Sequence, residues 1–349
     1  MQAVVLVGGE GTRLRPLTYS VPKPMAPLLG RPFIGWIIER LRKAGVDEII
    51  LSCCYLPEAI EAHFGDGHDV GVTLHYVFEE EPLGTAGAIK NALHKVTGTI
   101  FVCNGDILTG VDLVMLLDSH RRKQAIATIH TRAVEDPSQF GVVETDRDGR
   151  VLRFVEKPKP GETDARDINA GTYILEPEAL DAIPSGQKVS IERETFPKLI
   201  QETHRVFAVS TPDYWIDVGR PATYTQAHRD ILDGIFEQPM GTQIDRGIWS
   251  ASGAPAPHGV ALTAPVYLGE RVAVERGAKI GPYAVLYDGC KIAKNATVSN
   301  SVLWSDCFVG REATVRDAIL GLEVVVEPQA VVEPGSVLGR DERVTARTP

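Results

Sequence analysis

The sequence has little of what marks membrane, secreted or nucleic-acid-binding proteins. Its 349 residues include only five cysteines, Cys53, Cys54, Cys103, Cys290 and Cys307, and no apolar run near the ~20 residues of a membrane helix. An odd number of cysteines without metal-like spacing favours reduced thiols. No charged and apolar leader precedes the first apolar segment. The net charge of −10 argues against nucleic acid as a partner. These absences predict a cytoplasmic protein without membrane or nucleic-acid partners.

The last quarter of the chain contains no histidine, and the final one in the sequence is His258. From about Pro265, small apolar residues recur every six positions, with five-residue steps leading to Cys307 and Ala318. This period is typical of a hexapeptide β-helix, here of about four coils. Acyl transfer on such a helix generally needs a histidine base. We therefore exclude acyl transfer and expect a structural, regulatory or oligomeric role for the β-helix.

The N-terminal part of the chain alternates apolar strand patterns with helical ones, beginning with the predicted strand Ala3–Val7. This order predicts an α/β fold with a mostly parallel sheet, whose ligands bind at the carboxyl ends of the strands. A stretch rich in proline, glycine and alanine then predicts a connector. We expect a catalytic domain at 1–236, a connector at 237–262 and the β-helix domain at 263–349.

A glycine-rich stretch, Gly8–Leu17, follows the first predicted strand and leads to Pro22–Pro24. Three glycines in four positions let backbone N–H groups approach and cradle phosphates. The cations of Arg13, Arg15 and Lys23 suit phosphate oxygens. The spacing fits neither the dinucleotide fingerprint nor the P-loop, because Leu14 replaces the last fingerprint glycine and no Gly-Lys pair is present.

Two aspartates each end an apolar segment. Asp106 follows the predicted strand Thr99–Cys103, and Asp217 ends the segment Tyr214–Asp217. Because carboxyl ends of parallel strands meet at one edge of a sheet, we expect both aspartates to share one Mg²⁺. Turn or helix-capping aspartates, which would lie apart, are the structural alternative.

The Gly8–Pro24 string resembles the signature of the sugar-1-phosphate nucleotidyltransferases, also called nucleoside-diphosphate-sugar pyrophosphorylases. Further segments similar to that family follow in order within residues 1–236: Glu81–Gly87, Glu135–Val143, Phe154–Pro160, Ile168–Tyr173, Ser190–Lys198 and Tyr214–Gly219. The resemblance implies a Rossmann-like, mostly parallel mixed sheet followed by a left-handed β-helix. It also implies Mg²⁺ as cofactor, a nucleoside triphosphate and a sugar-1-phosphate as substrates, and a homo-oligomer formed through the β-helix.

The resemblance also assigns roles to individual residues. The catalytic residues would be Arg13 and Lys23. The nucleotide would be bound by Leu6, Gly8, Gly9, Gly11, Thr12, Arg13, Glu79, Pro82, Gly84, Thr85 and Asn104. The sugar phosphate would be bound by Gly141, Glu156, Lys157, Asn169 and Gly171. The metal ligands would be Asp106 and Asp217.

Base and sugar selectivity rest on weaker signals. A carboxylate at Glu79 can accept both N1–H and N2–H of guanine, which favours GTP, although Glu80 or Glu81 could take that role. Within the family, the segments favour guanylyl transfer to mannose-1-phosphate. Thymidylyl or uridylyl transfer to glucose-1-phosphate and guanylyl transfer to heptose-1-phosphate stay as alternatives. A non-catalytic sensor ranks below these, because both cations and both aspartates are present.

Overall fold

The computed structural model describes residues 1–53, 55–181, 183–237, 239 and 241–346. The chain forms two compact units, one of Met1–Glu10 with Ile34–Asp217 and the other of Gly11–Phe33 with Val218–Pro349. Four of the five cysteines are buried free thiols, and Cys54 lies outside the described residues. No helix among the described residues has the length and apolarity to span a bilayer.

The first part of the chain alternates strands with helices. The strands are β1 Gln2–Leu6, β2 Pro27–Leu28, β3 Arg31–Pro32, β4 Glu48–Cys53, β5 Thr73–Phe78, β6 Ile100–Asn104, β7 Ile107–Thr109, β8 Ala127–Ala133, β9 Gly141–Thr145, β10 Val151–Glu156, β11 Asp167–Leu175, β12 Val206–Ser210 and β13 Trp215–Asp217. The helices are α1 Phe33–Lys43, α2 Pro57–Phe64, α3 Gly84–Ala92, α4 Leu113–Arg122, α5 Pro177–Asp181, α6 Phe196–Thr203 and α7 Pro221–Leu232.

The main sheet of the first unit has a parallel half and a largely antiparallel half. Its order is β10-β9-β11-β6-β1-β4-β5, with β8 pairing β11 and β12. The strands β6, β1, β4 and β5 run parallel, while β11 runs antiparallel to β6. Ala3, Val4 and Val5 of β1 have no exposed surface, as the apolar run predicted for a strand covered on both faces. The predicted mixed, Rossmann-like sheet is confirmed.

One assumption about the sheet was wrong. We expected Asp217 to end a strand of the main parallel sheet, but β13 lies outside that sheet and pairs antiparallel with β7. The segment is only three residues long, and its register comes from this local partner. The two aspartates must therefore be related through a strand pair and not through the parallel-sheet rule.

The last part of the chain forms three stacks of short strands, as expected of a left-handed β-helix. The strands are β14 Thr242–Asp245, β15 Ile248–Ser250, β16 Ala261–Leu262, β17 Val266–Leu268, β18 Ala273–Val274, β19 Lys279–Ile280, β20 Ala284–Leu286, β21 Lys291–Ile292, β22 Thr297–Ser299, β23 Val302–Leu303, β24 Phe308–Val309, β25 Thr314–Arg316, β26 Ile319–Leu320, β27 Val325–Val326, β28 Val331–Val332, β29 Val337–Leu338 and β30 Arg343–Val344. From β16 to β30 every third strand stacks in parallel on the one before it.

The period-six residues form the core of this β-helix. Ala278, Ala284, Cys290 and Ala296 are fully buried, and the register resumes after the shorter step at Cys307. Strands β16 to β30 make five coils, one more than the spacing predicted. The stretch predicted as a connector contains β14 and β15, and β15 pairs parallel with β17. Short strands of this kind carry too little apolar pattern to be recognised from sequence.

Of the three buried histidines among the described residues, His120, His130 and His228, the last two show the larger pKa shifts. His130 on β8 and His228 on α7 are each 1% exposed. Burial lowers the pKa of both imidazoles to about 4, and near His130 the carboxylate of Asp213 opposes this shift while Arg132 adds to it. Both side chains are therefore neutral in the folded protein at neutral pH.

These histidines predict a loss of stability under mildly acidic conditions. Between pH 6.5 and about 4 the unfolded chain binds protons that the folded chain does not, so the free energy of unfolding falls as the pH falls. Linkage gives roughly 2 kcal/mol per histidine between pH 7.5 and pH 5. Urea unfolding at the two pH values measures this change.

The matched variants are His130→Gln and, at an exposed position, His68→Gln. The first should flatten part of the pH dependence, and the second should leave it unchanged because the His68 side chain is 91% exposed. A stability that does not change between pH 7.5 and pH 5 would contradict the prediction.

Candidate active site

The predicted site residues fall in both units. Gly11, Thr12, Arg13 and Lys23 belong to the second unit, and the others belong to the first. The chain passes between the units inside the glycine-rich stretch itself, between Glu10 and Gly11.

In the second unit, the two ends of the signature pack against each other. Gly11 has φ +63, and a Cβ there would lie 3.0 Å from Cβ of Lys23 and 3.1 Å from Cγ2 of Thr18. The Thr18 hydroxyl donates to the Gly11 carbonyl at 2.9 Å. Arg13 lies in an exposed 3₁₀ turn, whereas Lys23 is only 9% exposed. The glycine is therefore needed for the backbone to approach the segment that carries Lys23.

In the first unit, Glu79 closes the loop that was predicted to hold the base. It is 8% exposed; Oε1 accepts from the Ser52 hydroxyl at 2.8 Å and Oε2 accepts from the Leu83 N–H at 2.9 Å. Ser52 is also the residue whose carbonyl accepts from the Val7 N–H at the end of β1. The geometry thus gives Glu79 a role in shaping its own loop, and contact with the base stays a prediction.

The same loop is fastened to the start of the π-helical turn Ile191–Thr195. Pro82 is exposed, and Gly84 begins α3. The Thr85 hydroxyl donates to Oε2 of Glu192 at 2.8 Å and accepts from the Ile191 N–H at 2.8 Å. Ser190 caps the turn by accepting from the Arg193 N–H. The Thr85 hydroxyl is therefore engaged within the protein.

The Asn104–Asp106 loop fits tightly against β11. A Cβ on Gly171, whose φ is +69, would lie 2.4 Å from Cδ1 of Ile107 and 2.7 Å from Nδ2 of Asn104. Only glycine allows this approach without displacing one of those side chains. The Gly105 N–H donates to the Leu6 carbonyl at 2.9 Å, which ties the loop to the end of β1.

Strands β7 and β13 bring the neighbourhoods of the two aspartates together. Asp217 lies opposite Ile107, the residue that follows Asp106. Directly opposed residues of an antiparallel pair have Cα atoms about 4.5–5.5 Å apart. Asp217 is thus the last residue of β13, and Asp106, 111 positions away in the sequence, directly precedes its partner strand β7.

A bulge in β11 holds the predicted sugar contact Asn169. The register with β8 shifts between Asn169 and Tyr173. Within the bulge, Oδ1 of Asn169 accepts from the Gly171 N–H at 3.0 Å, and its Nδ2 donates to the Tyr173 hydroxyl at 2.7 Å. The indole N–H of Trp215 donates to the Ala170 carbonyl at 3.0 Å. The bulge therefore connects β11 to the strand that carries Asp217.

The ends of β9 and β10 carry the remaining predicted sugar-phosphate residues. A Cβ on Gly141 would lie 2.8 Å from Oε2 of Glu156, so these two residues are in close contact. Burial raises the pKa of the Glu156 carboxyl. The nearby carboxylate of Glu192 raises this pKa further, while the ammonium of Lys157 lowers it. Lys157 is exposed, has φ +52 and donates its N–H to the Phe140 carbonyl at 3.0 Å. A left-handed conformation at a non-glycine residue is strained, and such strain concentrates at functional sites.

Two family models match the chain. The nucleotidyl transferase model matches residues 2–234, and the model of the GMPPB C-terminal domain matches residues 262–348. The first match spans about two thirds of the sequence. The chain belongs to the nucleotidyl transferase family. Nucleotidyltransferases of this family generally use divalent metal ions.

Curated relatives cover most of the chain. It is 41% identical to a mannose-1-phosphate guanylyltransferase of Mycobacterium tuberculosis, over 85% of this chain and 83% of that protein. It is 37% identical to a UTP–glucose-1-phosphate uridylyltransferase of Synechocystis, over 86% and 82%. It is 33% identical to mannose-1-phosphate guanylyltransferase 1 of Arabidopsis thaliana, over 99% and 92%.

Solved structures match about two thirds of the chain. The crystal structure of HddC from Yersinia pseudotuberculosis has a TM-score of 0.57 and 33% identity, over 66% of this chain and 98% of that one. The same values hold for HddC in complex with GMP-PN. The nucleotidyl transferase fold is thus supported independently by sequence and by structure.

Sequence reasoning about this nucleotidyl transferase missed several residues that organise the site. Tyr173 is fully buried, and the nearby carboxylates of Glu192, Glu156 and Asp106 add to the effect of burial in raising its pKa well above 10. Trp215 packs edge-on against Phe140 with ring centroids 5.6 Å apart. Their only sequence signal was membership of the family-like segments, and the partners of Trp215 lie far away along the chain.

The Trp215 indole predicts a measurable effect on activity. Trp215→Phe keeps an aromatic ring beside Phe140 but removes the donor to the Ala170 carbonyl. Loss of one such hydrogen bond costs about 1 kcal/mol, so nucleotidyltransferase kcat/KM should fall roughly fivefold. Steady-state kinetics measures this fall.

Trp249→Phe is the matched control, because Trp249 lies on β15 in the other unit. Its kcat/KM should stay within about twofold of the wild type, since the substitution touches neither the bulge nor β13. Equal effects of both substitutions would contradict a specific role for the Trp215 hydrogen bond.

Proposed function

We propose that the chain transfers the guanylyl group of GTP to mannose-1-phosphate, giving GDP-mannose and pyrophosphate. The observation that carries the proposal is the similarity to mannose-1-phosphate guanylyltransferases over both parts of the chain, together with the match to the GMPPB C-terminal domain at 262–348. The structure of HddC with GMP-PN adds a related protein that holds a guanine nucleotide analogue.

The proposed reaction needs charge neutralisation more than acid–base catalysis. The phosphate of the sugar phosphate is already an anion, so its attack on the α-phosphorus requires no general base. In this proposal Arg13 and Lys23 neutralise the charge that builds on the phosphoryl oxygens. The close packing of Gly11, Thr18 and Lys23 supports such a role, because a catalytic cation must be held in a defined position.

The backbone of the glycine-rich stretch would bind the triphosphate, and the Glu79 loop would bind the base. In this proposal the nucleotide is also contacted by Leu6, Gly8, Gly9, Thr12 and Asn104. Oδ1 of Asn104 is buried and lacks a hydrogen-bond partner among the described residues, which supports a ligand contact there. One lone pair of Glu79 Oε1 accepts from Ser52, and one of Oε2 accepts from Leu83. To select guanine, Glu79 would use the second lone pair of each oxygen to accept from N1–H and N2–H of the base.

The sugar phosphate would lie against the ends of β9, β10 and β11. We assign the phosphate to Lys157 and the sugar hydroxyls to Glu156 and Asn169. The Lys157 backbone is strained, and its N–H donates to the Phe140 carbonyl. Both features support a fixed backbone position from which the Lys157 side chain extends. Gly141 and Gly171 would leave room for the sugar ring beside these side chains.

Asp106 and Asp217 would hold Mg²⁺ together with substrate phosphates. Two carboxylates offer the hard oxygen ligands that Mg²⁺ prefers, and Mg²⁺ is commonly bound by one or two carboxylates plus phosphates. The β7–β13 pairing supports binding of one ion by both aspartates. The described residues contain no cluster of three or more metal-binding side chains, so the substrate phosphates would supply further ligands. When bound, the ion would offset negative charge on the phosphates.

A substrate panel tests the proposed function. All four nucleoside triphosphates are assayed for pyrophosphate release with mannose-, glucose- and heptose-1-phosphate. We expect the highest kcat/KM for GTP with mannose-1-phosphate. A preference for UTP or dTTP with glucose-1-phosphate would replace this proposal with the uridylyl or thymidylyl alternative, and the Synechocystis relative makes the UTP arm essential.

Removing either carboxylate tests the shared metal site. Asp106→Asn and Asp217→Asn keep the side-chain shape but remove the charge, so each should lower kcat by at least about a hundredfold and raise the Mg²⁺ concentration needed for half-maximal activity. Asp213→Asn is the control, because Asp213 lies outside β13. Wild-type activity and Mg²⁺ dependence in either metal variant would refute the assignment.

Two expectations from the sequence complete the proposal. Self-association through the β-helix would cover apolar coil edges, and exposed Phe308 and Val331 support an apolar surface there. A cytoplasmic location agrees with the buried free thiols of the described cysteines.

A further inference from the structure

The segment that carries Lys23 belongs to the same compact unit as the β-helix. Lys23 begins a 3₁₀ turn, and the hairpin of β2 and β3 follows directly. The Ala26 N–H donates to the Lys23 carbonyl at 3.1 Å, and the Phe33 N–H donates back to the Ala26 carbonyl at 2.9 Å. The end of the Lys23 turn is therefore hydrogen-bonded to the residue that follows the hairpin.

Four buried side chains from α7 and the β-helix hold this hairpin. Tyr224 and His228 lie on α7, while Tyr287 and Trp304 lie on the β-helix, and none is more than 5% exposed. The hydroxyl of Tyr287 accepts from the Leu29 N–H at 2.7 Å, at the tip of the hairpin. The hydroxyl of Tyr224 donates to the Pro27 carbonyl, and the indole N–H of Trp304 donates to that hydroxyl at 3.0 Å.

The direction of every hydrogen bond in this aromatic network is determined. Nδ1 of His228 lies 2.8 Å from the Tyr224 carbonyl, which can only accept, so Nδ1 carries the proton. Burial lowers the pKa of this imidazole to about 4, so its Nε2 is an acceptor at neutral pH. The Tyr287 hydroxyl therefore donates to Nε2 at 2.9 Å while it accepts from Leu29.

We propose that Tyr224, His228, Tyr287 and Trp304 are positioning residues that fix the Lys23 segment through the β2–β3 hairpin. The β-helix then contributes to catalysis within its own chain, in addition to any role in assembly. The inference rests on the proposed function only in assigning Lys23 to the transition state.

The hairpin needs such support because its own strands are too short to define it. β2 and β3 have two residues each, and Leu29 at the turn has φ +44. A two-residue strand pair has little stability by itself. The buried Leu29 N–H would lose its partner without the Tyr287 hydroxyl, and a buried unpaired donor is costly.

Tyr287→Phe and Tyr267→Phe form a matched pair for the test. Tyr267 is a buried neighbour on β17, with ring centroids 6.0 Å from Tyr287. Both substitutions remove one hydroxyl from the β-helix, but only Tyr287→Phe takes the acceptor from Leu29 and the donor from His228. Activity and thermal unfolding of the full chain are measured for both, with assays far below either melting temperature.

We expect Tyr287→Phe to lower kcat about tenfold with nearly unchanged KM for both substrates, since small misplacements of catalytic groups are costly. Tyr267→Phe should keep kcat within about twofold. In a Lys23→Ala background, Tyr287→Phe should cause no further loss, because the group it positions is absent.

Each alternative outcome is distinguishable. A lower melting temperature with unchanged kcat for Tyr287→Phe would make the network merely structural and overturn the inference. A full tenfold loss in the Lys23→Ala background would overturn it as well, since the effect would not pass through Lys23. Failure of the wild type to turn over any substrate pair would instead refute the proposed function.

Discussion

The buried strand β1 is the constraint on which the first unit depends. It is hydrogen-bonded in parallel to β4 on one side and to β6 on the other, and its central residues have no exposed surface. The loops that leave the carboxyl ends of these three strands therefore start from a rigid base. Backbone hydrogen bonds join the Val7 N–H to the Ser52 carbonyl and the Gly105 N–H to the Leu6 carbonyl at that base, and the glycine-rich stretch follows β1 directly along the chain.

Several polar side chains of the candidate site form hydrogen bonds within the protein. Glu79 and Thr85 each satisfy hydrogen bonds of their own loops while they lie in segments assigned to the nucleotide. The Asn169 side chain likewise donates one hydrogen bond to Tyr173 and accepts one from Gly171 within its bulge. Such internal bonds hold side chains in one orientation before a substrate arrives, which lowers the entropy lost on binding. Their mutation would therefore change the geometry of these loops and, under the proposed function, substrate contact as well.

The two parts of the chain are less separate than a catalytic domain followed by a β-helix suggests. The compact units divide inside the glycine-rich stretch, and the signature from Gly11 onward lies in one unit with the β-helix. The aromatic network of Tyr224, His228, Tyr287 and Trp304 gives this division a physical basis, because it hydrogen-bonds the β-helix to the β2–β3 hairpin.

The sequence by itself determined the elements whose signal is local or periodic. Strand β1 and the six-residue core of the β-helix follow from apolar spacing, because burial imposes a fixed pattern on the sequence. The residue types of the site also follow from local segments, since phosphate and metal chemistry need particular cations, carboxylates and glycines.

Only the tertiary structure decided which distant groups meet. Asp217 comes beside the Asp106 loop through a three-residue strand, too short to show its partner in the sequence. Trp215 reaches a carbonyl 45 residues away, and Leu29 bonds a hydroxyl 258 residues away. Single hydrogen bonds over such separations leave no periodic trace, because they depend on how whole sheets and coils pack and not on neighbouring residues.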